Sequence, residues 1–295
     1  MVETVTRMKW GVERRLEFIE FRLLWEGGVN RSDIMATFDV SEPQASKDLT
    51  LYQERAPGNA IYDKNARRYI ASTDFRSAFL RHDPIEYLQR LRALGEGFVD
   101  PADSWLGARP DVDVVLTPAR EVKTDILRAV LKALRDGSSL EVLYQSMNRE
   151  NPEPVWRTIT PHAFGYDGIR WHVRSYCQLT DQFKDFILPR ILGTGKFAEP
   201  GRPGSDDELW CDRFDVVIGP HPDLSPTQKA IVAKDFGMSD GATTVLPVRY
   251  AMLFYVLKRL GLLHEPEKRP ARSQHIVVVN RKQTDDALQK ANFSL

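Results

Sequence analysis

The residues with the clearest chemical potential lie in "DGIRWHVRSYC", residues 167–177. The run reads as a strand, and alternation across a strand puts Trp171, Val173, Ser175 and Cys177 on one face. Arg170, His172, Arg174 and Tyr176 fall on the other. The first set has the composition of a core. The second is too basic for a core, and guanidinium, imidazole and phenol groups together suit the binding of an anion. Tyr144 and Ser146 share a face of the strand-like run "SLEVLYQSM". Arg190 stands among Phe186, Leu188 and Leu192, where a cation needs an anion or a carboxylate opposite it. Two readings stay open: Arg170 and Arg174 pair with Asp181, Asp185 or Glu141, or the cations converge on an anion pocket.

Other chemistry is sparse. There is no phosphate-binding glycine loop and no nucleophile–base arrangement. His221, between two prolines, has neither a nucleophile nor paired carboxylates near it in the sequence. Cys177 and Cys211 lack metal-ligand spacing and are expected to be reduced thiols, so no zinc, other metal or cofactor is expected. These features argue against an enzyme. Lys and Arg number 41 against 41 Asp and Glu, and residues 1–72 hold 11 of each. Contact with nucleic acid must therefore come from a local patch. The N-terminus "MVETVTRMKWGVERR" has no apolar signal core, and Lys258 and Arg259 interrupt the longest apolar run, so a cytoplasmic protein that does not span a membrane is expected.

With 295 residues, 42% of them hydrophobic and 28% charged, the chain should fold as several domains. Val12, Leu16, Ile19 and Leu23 recur at helical spacing, and Gly27-Gly28 ends that helix. A short helix follows in "NRSDIMATFD", with Asn30 or Ser32 as its cap. The next helix lies in "VSEPQASKDLTLYQE", where Ser41 and Gln44 fit a capping box and Pro43 suits the first turn. Ala45, Leu49 and Tyr52 face inward, while Gln44 and Lys47 face away with Asp48 beside them. The pair reads as a helix-turn-helix. "GNAIYDKNARRYIAS" adds a hairpin, the wing of a winged helix, with Lys64, Arg67 and Arg68 at its tip against Asp63. Such a tip would touch phosphates, while Gln44, Ser46 and Lys47, with Ser41 at the start of their helix, would face base edges.

A connecting helix is expected around Pro84–Leu94, followed by a loop rich in Pro, Gly and Asp, then a helix across Ala119–Arg135. Strands are expected at "SLEVLYQSM", 155–164, 169–177 and "FKDFILPRILG", with Asp167-Gly168 as a hairpin turn. Four short strands in so few residues imply a small, curved sheet or barrel. "GRPGSDDE" reads as a linker. Beyond it a β-α-β-α-β order suggests a small α+β domain, in which the apolar stretch Ala251–Leu257 is either a core helix or an interface.

"LYQS", "PHAF", "RWHVRSYC", "FKDF" and "PRI" together resemble a WYL domain, with Trp171-His172-Val173 where the family name has Trp-Tyr-Leu. With the winged helix, the chain resembles the WYL-domain transcriptional regulators of bacterial anti-phage defence operons of the BREX and CBASS types. The resemblance implies a multidomain α+β chain. Its parts would be a winged helix-turn-helix at 1–72, a helical linker at 73–118, an Sm-like β-barrel (WYL) at 119–200 and a small α+β dimerisation domain at 208–295. It further implies a homodimeric repressor on an inverted-repeat double-stranded DNA operator, released by a nucleotide or nucleic-acid ligand. Tyr144, Ser146, His162, His172, Arg174 and Arg190 are the implied ligand positions. Were Asp167-Gly168 a two-residue loop, His162 would pair with Val173 on the core side. It joins the basic face only through a longer loop or a bulge. The competing reading is an accessory module that binds single-stranded nucleic acid to modulate another defence protein.

Overall fold

The computed structural model describes residues 8–80, 83–107, 110–115, 117–118, 120–147, 152–238, 242–264 and 269–291. Two units divide the chain, Met1–Thr117 and Pro118–Leu295. Among the described residues no helix is long and apolar enough to cross a membrane.

In the first unit, α1 (Trp10–Trp25), α2 (Arg31–Phe38) and α3 (Glu42–Arg55) pack on a core that includes Leu16, Ile19, Leu23, Ile34, Leu49 and Tyr52. A capping box starts α2, because Asn30 Oδ1 accepts from the Asp33 amide at 3.0 Å and Asp33 Oδ2 accepts from the Asn30 amide at 2.8 Å. The box expected at Ser41 and Gln44 is not made. Ser41 is the N-cap residue without a side-chain bond, and Gln44 Nε2 donates to Asp48 Oδ1 at 3.0 Å. Asp48 is buried, in contrast to the outward place expected of it, because Arg15 on α1 donates to both its oxygens at 2.6 and 3.2 Å. The wing is β1 (Ala60–Asp63) against β2 (Arg68–Ala71), and Val29 exchanges two backbone bonds with Tyr69 at its side. Gly28 is required there: at φ 138 a Cβ would lie 2.3 Å from the Tyr69 carbonyl oxygen.

Glu20 ties the chain after the wing back onto α1. Its buried carboxylate accepts from the amides of Ala78, Phe79 and Leu80 at 2.8–3.0 Å and from the Tyr52 hydroxyl at 3.2 Å. Burial, with Glu20 beside it, raises the Tyr52 hydroxyl above its ordinary range and keeps it a donor. Replacing Glu20 with Ala strands these donors. The expected loss is about 2–3 kcal/mol, seen as reduced amide protection in α1 and α3 by hydrogen exchange. The connecting helix is α4 (Pro84–Gly95), which Asp83 caps by accepting from the Ile85 amide at 2.9 Å.

The second unit starts with α5 (Thr124–Asp136), whose Ile126, Val130 and Ala133 cover an antiparallel five-stranded sheet. Its strands are β3 (Ser139–Tyr144), β4 (Val155–Tyr166), β5 (Trp171–Cys177), β6 (Gln182–Ile187) and β7 (Ile191–Ala198), in the order β6-β5-β4-β3-β7. Among the described residues no ladder joins β6 to β7, so the expected barrel is not closed. The single strand expected in "FKDFILPRILG" is two, broken by a 3-10 turn at Leu188–Arg190. Pro189 has no amide to give a ladder, and the turn carries the chain from one edge of the sheet to the other.

The β4–β5 connection holds four residues rather than two. Asp167 Oδ1 accepts from the amides of Ile169 and Arg170, each at 2.8 Å, and the register pairs Tyr166 with Trp171 and Phe164 with Val173. A bulge between Pro161 and Ala163 takes up His162 and turns it off the core side. Trp171, expected in the core, is 51% exposed and packs against Tyr166 with ring centroids 4.9 Å apart. The core below it is formed by Val173, Cys177, Phe186, Leu140 and Ile159.

The segment read as a linker is pinned down. A 3-10 turn at Gly204–Asp206 leads into α6 (Glu208–Cys211), and Asp207 is 1% exposed. At Gly204 a Cβ would come within 2.6–2.7 Å of the His162 side chain, so only glycine lets the two segments approach. Beyond it β8 (Arg213–Pro220), β9 (Thr244–Arg249) and β10 (Ile276–Val278) form an antiparallel sheet in the order β10-β8-β9. Packed with it are α7 (Pro226–Asp235), α8 (Leu253–Arg259) and a further helix, α9 (Arg281–Lys290), absent from the sequence expectation. Leu253 and Leu257 of α8 lie in this core, while Tyr255 on the same helix turns to the five-stranded sheet.

Candidate functional site

Two groups of residues carry the chemistry, one in each unit. On α3, Lys47 is exposed, Ser46 half-buried and Ser41 exposed at the N-cap, while Gln44 is held by Asp48. At the wing tip Lys64 and Arg67 are exposed. Asp63 forms no ion pair with them among the described residues; its Oδ1 accepts from the amides of Asn65 and Ala66 at 2.7 and 3.1 Å and shapes the turn. Arg68 behaves differently from its neighbour: its guanidinium donates to the Gly28 carbonyl and braces the base of the wing.

In the second unit a cavity of about 500 Å³ opens beside the ends of β3, β5 and β6 and the 3-10 turn. Of the six residues implied as ligand positions, Tyr144, Ser146, His172 and Arg190 line it; His162 and Arg174 do not. Tyr144 packs its ring on Phe186 at 4.9 Å, and its hydroxyl accepts from the Ile187 amide at 3.2 Å. His172 is 1% exposed, with Nε2 3.0 Å from Asp167 Oδ2 and its ring 4.7 Å from that of Tyr255. Its Nδ1 is buried and has no hydrogen-bond partner among the described residues.

Three further cations line the same cavity: Arg157, Arg170 and Lys184. Arg170 is answered by Asp167, its Nε 2.8 Å from Oδ2. Burial alone would raise the Asp167 carboxyl, but the hydrogen bonds from His172, from two backbone amides and from Arg170 outweigh it and hold it down at about 2. The carboxylate that lines this cavity, Asp185, accepts from Arg174 at 3.3 Å and from the Tyr255 hydroxyl at 3.2 Å. Arg157, Lys184 and Arg190 have no carboxylate partner among the described residues, and Arg157 Nε is buried without a hydrogen bond. Clustered cations that repel one another and leave donors unmet cost stability, and such a cavity is complementary to an anion with several acceptor oxygens.

Arg157 was legible by the oddity noticed at Arg190. It stands between Val155 and Ile159 on the alternating apolar side of β4, opposite Val142. Tyr255 left no such trace, since it reads as one more apolar residue of α8.

Arg174 and His162 meet elsewhere. Arg174 donates to Asp207 through Nε at 2.7 Å and Nη2 at 3.0 Å, and His162 Nε2 lies 3.0 Å from Asp207 Oδ2. Arg174 is 5% exposed, and two carboxylates answer its charge. The bulge does bring His162 to the side of Arg174, but this pair clasps the sheet to the segment before β8 and does not line the cavity. The ion-pair reading is the one that holds for Arg174. Asp207 escaped the sequence reading because 33 residues separate it from its partner, in a stretch that looks like a linker.

Residues 11–93 match the family described as the BrxR transcriptional regulator winged helix-turn-helix domain. Residues 125–194 match the WYL domain, and residues 213–284 the BrxR transcriptional regulator C-terminal dimerization domain. The DNA-binding transcriptional repressor CapW of Stenotrophomonas maltophilia is 41% identical over 277 residues, covering 93% of this chain and 91% of that protein. CapW of Pseudomonas aeruginosa is 36% identical over 281 residues (95% and 93%), and CapW of Escherichia coli (strain KTE188) 33% over 273 (92% and 90%).

Proposed function

The chain belongs to the family of the CapW transcriptional repressors, and we propose that it represses a phage-defence operon until an anionic ligand enters the WYL cavity. In this reading the C-terminal domain pairs two copies, and each copy lays α3 in a major groove of an inverted-repeat operator. Ser46 and Lys47 face base edges there with Gln44, and Ser41 lies at the start of the helix. Lys64 and Arg67 hold phosphates from the wing, with Arg68 setting the wing's posture. The ligand is a nucleotide or a nucleic-acid fragment. It can release DNA only by binding one dimer geometry more tightly than the other.

The observation that carries the ligand reading is the trio Arg157, Lys184 and Arg190, none of which forms an ion pair among the described residues, in a cavity that Tyr255 of the C-terminal domain walls and whose one lining carboxylate, Asp185, is engaged by Arg174 and Tyr255. Occupancy of the cavity would thus be felt directly by the helix that belongs to the dimerisation part.

Footprinting on the DNA upstream of the protein's own gene tests the reading. A protected inverted repeat is expected, and no protected repeat would contradict it. Lys64→Ala with Arg67→Ala is expected to weaken duplex binding on any sequence. Each protomer then neutralises two fewer phosphates, so the log–log salt dependence should flatten by roughly one unit for each of them. Gel shifts across a series of salt concentrations measure that slope.

A further inference from the structure

Asp48 is an unexpected residue for the middle of α3. It is buried, and a carboxylate on a helix laid against DNA would repel phosphates. Arg15 of α1 answers that charge, donating to Oδ2 at 2.6 Å and to Oδ1 at 3.2 Å, with both side chains largely shut off from solvent. Arg15 alone thus pairs with both oxygens, yet Gln44 Nε2 also donates to Oδ1, at 3.0 Å. The plainest account is local: a glutamine four residues before a carboxylate on a helix bonds to it and does nothing more. The chemistry of the acceptor says more than that. A carboxylate only accepts, so the amide nitrogen of Gln44 must face Asp48, and the amide is kept from turning over. Gln44 keeps one N–H and its carbonyl oxygen, which have no partner among the described residues and are not buried.

We propose that Arg15 and Asp48 are positioning residues that hold Gln44 in one orientation, and that Gln44 so held selects adenine over guanine in the major groove. The inference rests on α3 being the recognition helix, and adds the base it selects and the residues that set the choice. Adenine presents N7 as an acceptor beside the N6 amino group as a donor, which one N–H and one carbonyl oxygen match. Guanine presents two acceptors, N7 and O6. A free glutamine could meet both through the two N–H groups of its amide. Here Asp48 holds one of them, and the carbonyl oxygen is left against a guanine acceptor. The held side chain also has less freedom to lose on meeting DNA. Arg15 lies on α1, so a residue outside the recognition helix governs what that helix reads.

Selection by the full-length protein from a library of random double-stranded DNA, followed by a base-pair scan of the selected repeat, tests this. In the unmodified protein one position of each half-site is expected to favour adenine over guanine by roughly tenfold or more, the discrimination of one bidentate contact. Gln44→Ala should reduce that preference to about threefold or less and leave the other positions as they were. Two variants free the amide without altering it. Asp48→Asn keeps the shape and can bond either end of the amide, and Arg15→Met with Asp48→Leu strands no charge. In either, the preference at that position alone should fall to about threefold or less, while affinity for unrelated duplex stays within about threefold. A preference that disappears with Gln44→Ala but survives in both of these variants overturns the positioning role. A uniform loss across all sequences in both makes the pair merely structural and overturns it equally. An unchanged base profile in Gln44→Ala overturns the reading by Gln44, while the selected repeat leaves the repressor reading standing. No repeat selected by the unmodified protein overturns both.

Discussion

Asp207→Ala is expected to lower the stability of the unit Pro118–Leu295 by about 3–5 kcal/mol, the range seen when one member of a buried ion pair is removed. The change leaves the Arg174 guanidinium buried with Asp185 as its remaining partner and takes the acceptor from His162. Hydrogen exchange of the β5 amides reads the loss, since β5 carries Arg174 and lies between β4 and β6. Replacing both members with apolar residues, Arg174→Met with Asp207→Leu, should recover only part of it: the Arg174 charge is no longer stranded, but Asp185 then keeps only the Tyr255 hydroxyl as a donor among the described residues. The same carboxyl supplies a pH signature. Burial would raise it, but the bonds from His162 and Arg174 hold it at about 2 against an ordinary 3.8. Because the folded value is the lower one, this stabilisation is complete above about pH 4 and is lost as the pH falls through about 2, worth about 2 kcal/mol. Asp167, also held at about 2, titrates in the same window, so Asp207→Ala should reduce the acid sensitivity without abolishing it.

Arg190→Ala is expected to have the largest effect on regulation and little on folding. Arg190 stands with Arg157 and Lys184 in a cavity where cations outnumber the one lining carboxylate, Asp185, and none of the three forms an ion pair among the described residues. Removing one cation relieves repulsion, so stability should stay level or rise. A bound phosphate loses a charge-assisted hydrogen bond of about 1.5–3 kcal/mol, roughly a 10- to 100-fold fall in affinity. DNA binding without ligand should be unchanged, because the winged helix belongs to the other unit. A reporter driven by the operator should then stay repressed under conditions that release the unmodified protein. Equal release of both would remove Arg190 from the site.

The features readable from the chain were those set by local pattern. Leu16, Ile19 and Leu23 keep helical spacing and are all buried in α1, and the basic hairpin after α3 is a two-stranded wing. What sequence could not convey was set by distant or subtle geometry. The extra residues in the Asp167–Arg170 loop and the bulge at His162 shift register in opposite ways, and neither leaves a period to detect. Trp171 moves to the surface because the register pairs it with Tyr166 at the mouth of the loop. Arg174 looked like a ligand residue because its partner Asp207 lies far along the chain. Of the cavity, Tyr144, Ser146, His172 and Arg190 were in view, while the side made by Tyr255 depended on how α8 packs.

An anion in the WYL cavity is expected to loosen the protein's hold on DNA. The most direct test is a competition titration with the protein bound to its operator at constant ionic strength, using a 5′-phosphorylated dinucleotide. Release of DNA is expected at dinucleotide concentrations that match the directly measured affinity, with a roughly 10- to 100-fold shift of that curve in Arg190→Ala. Release at the same concentration in both proteins, or saturation of the cavity with DNA still fully bound, would contradict it.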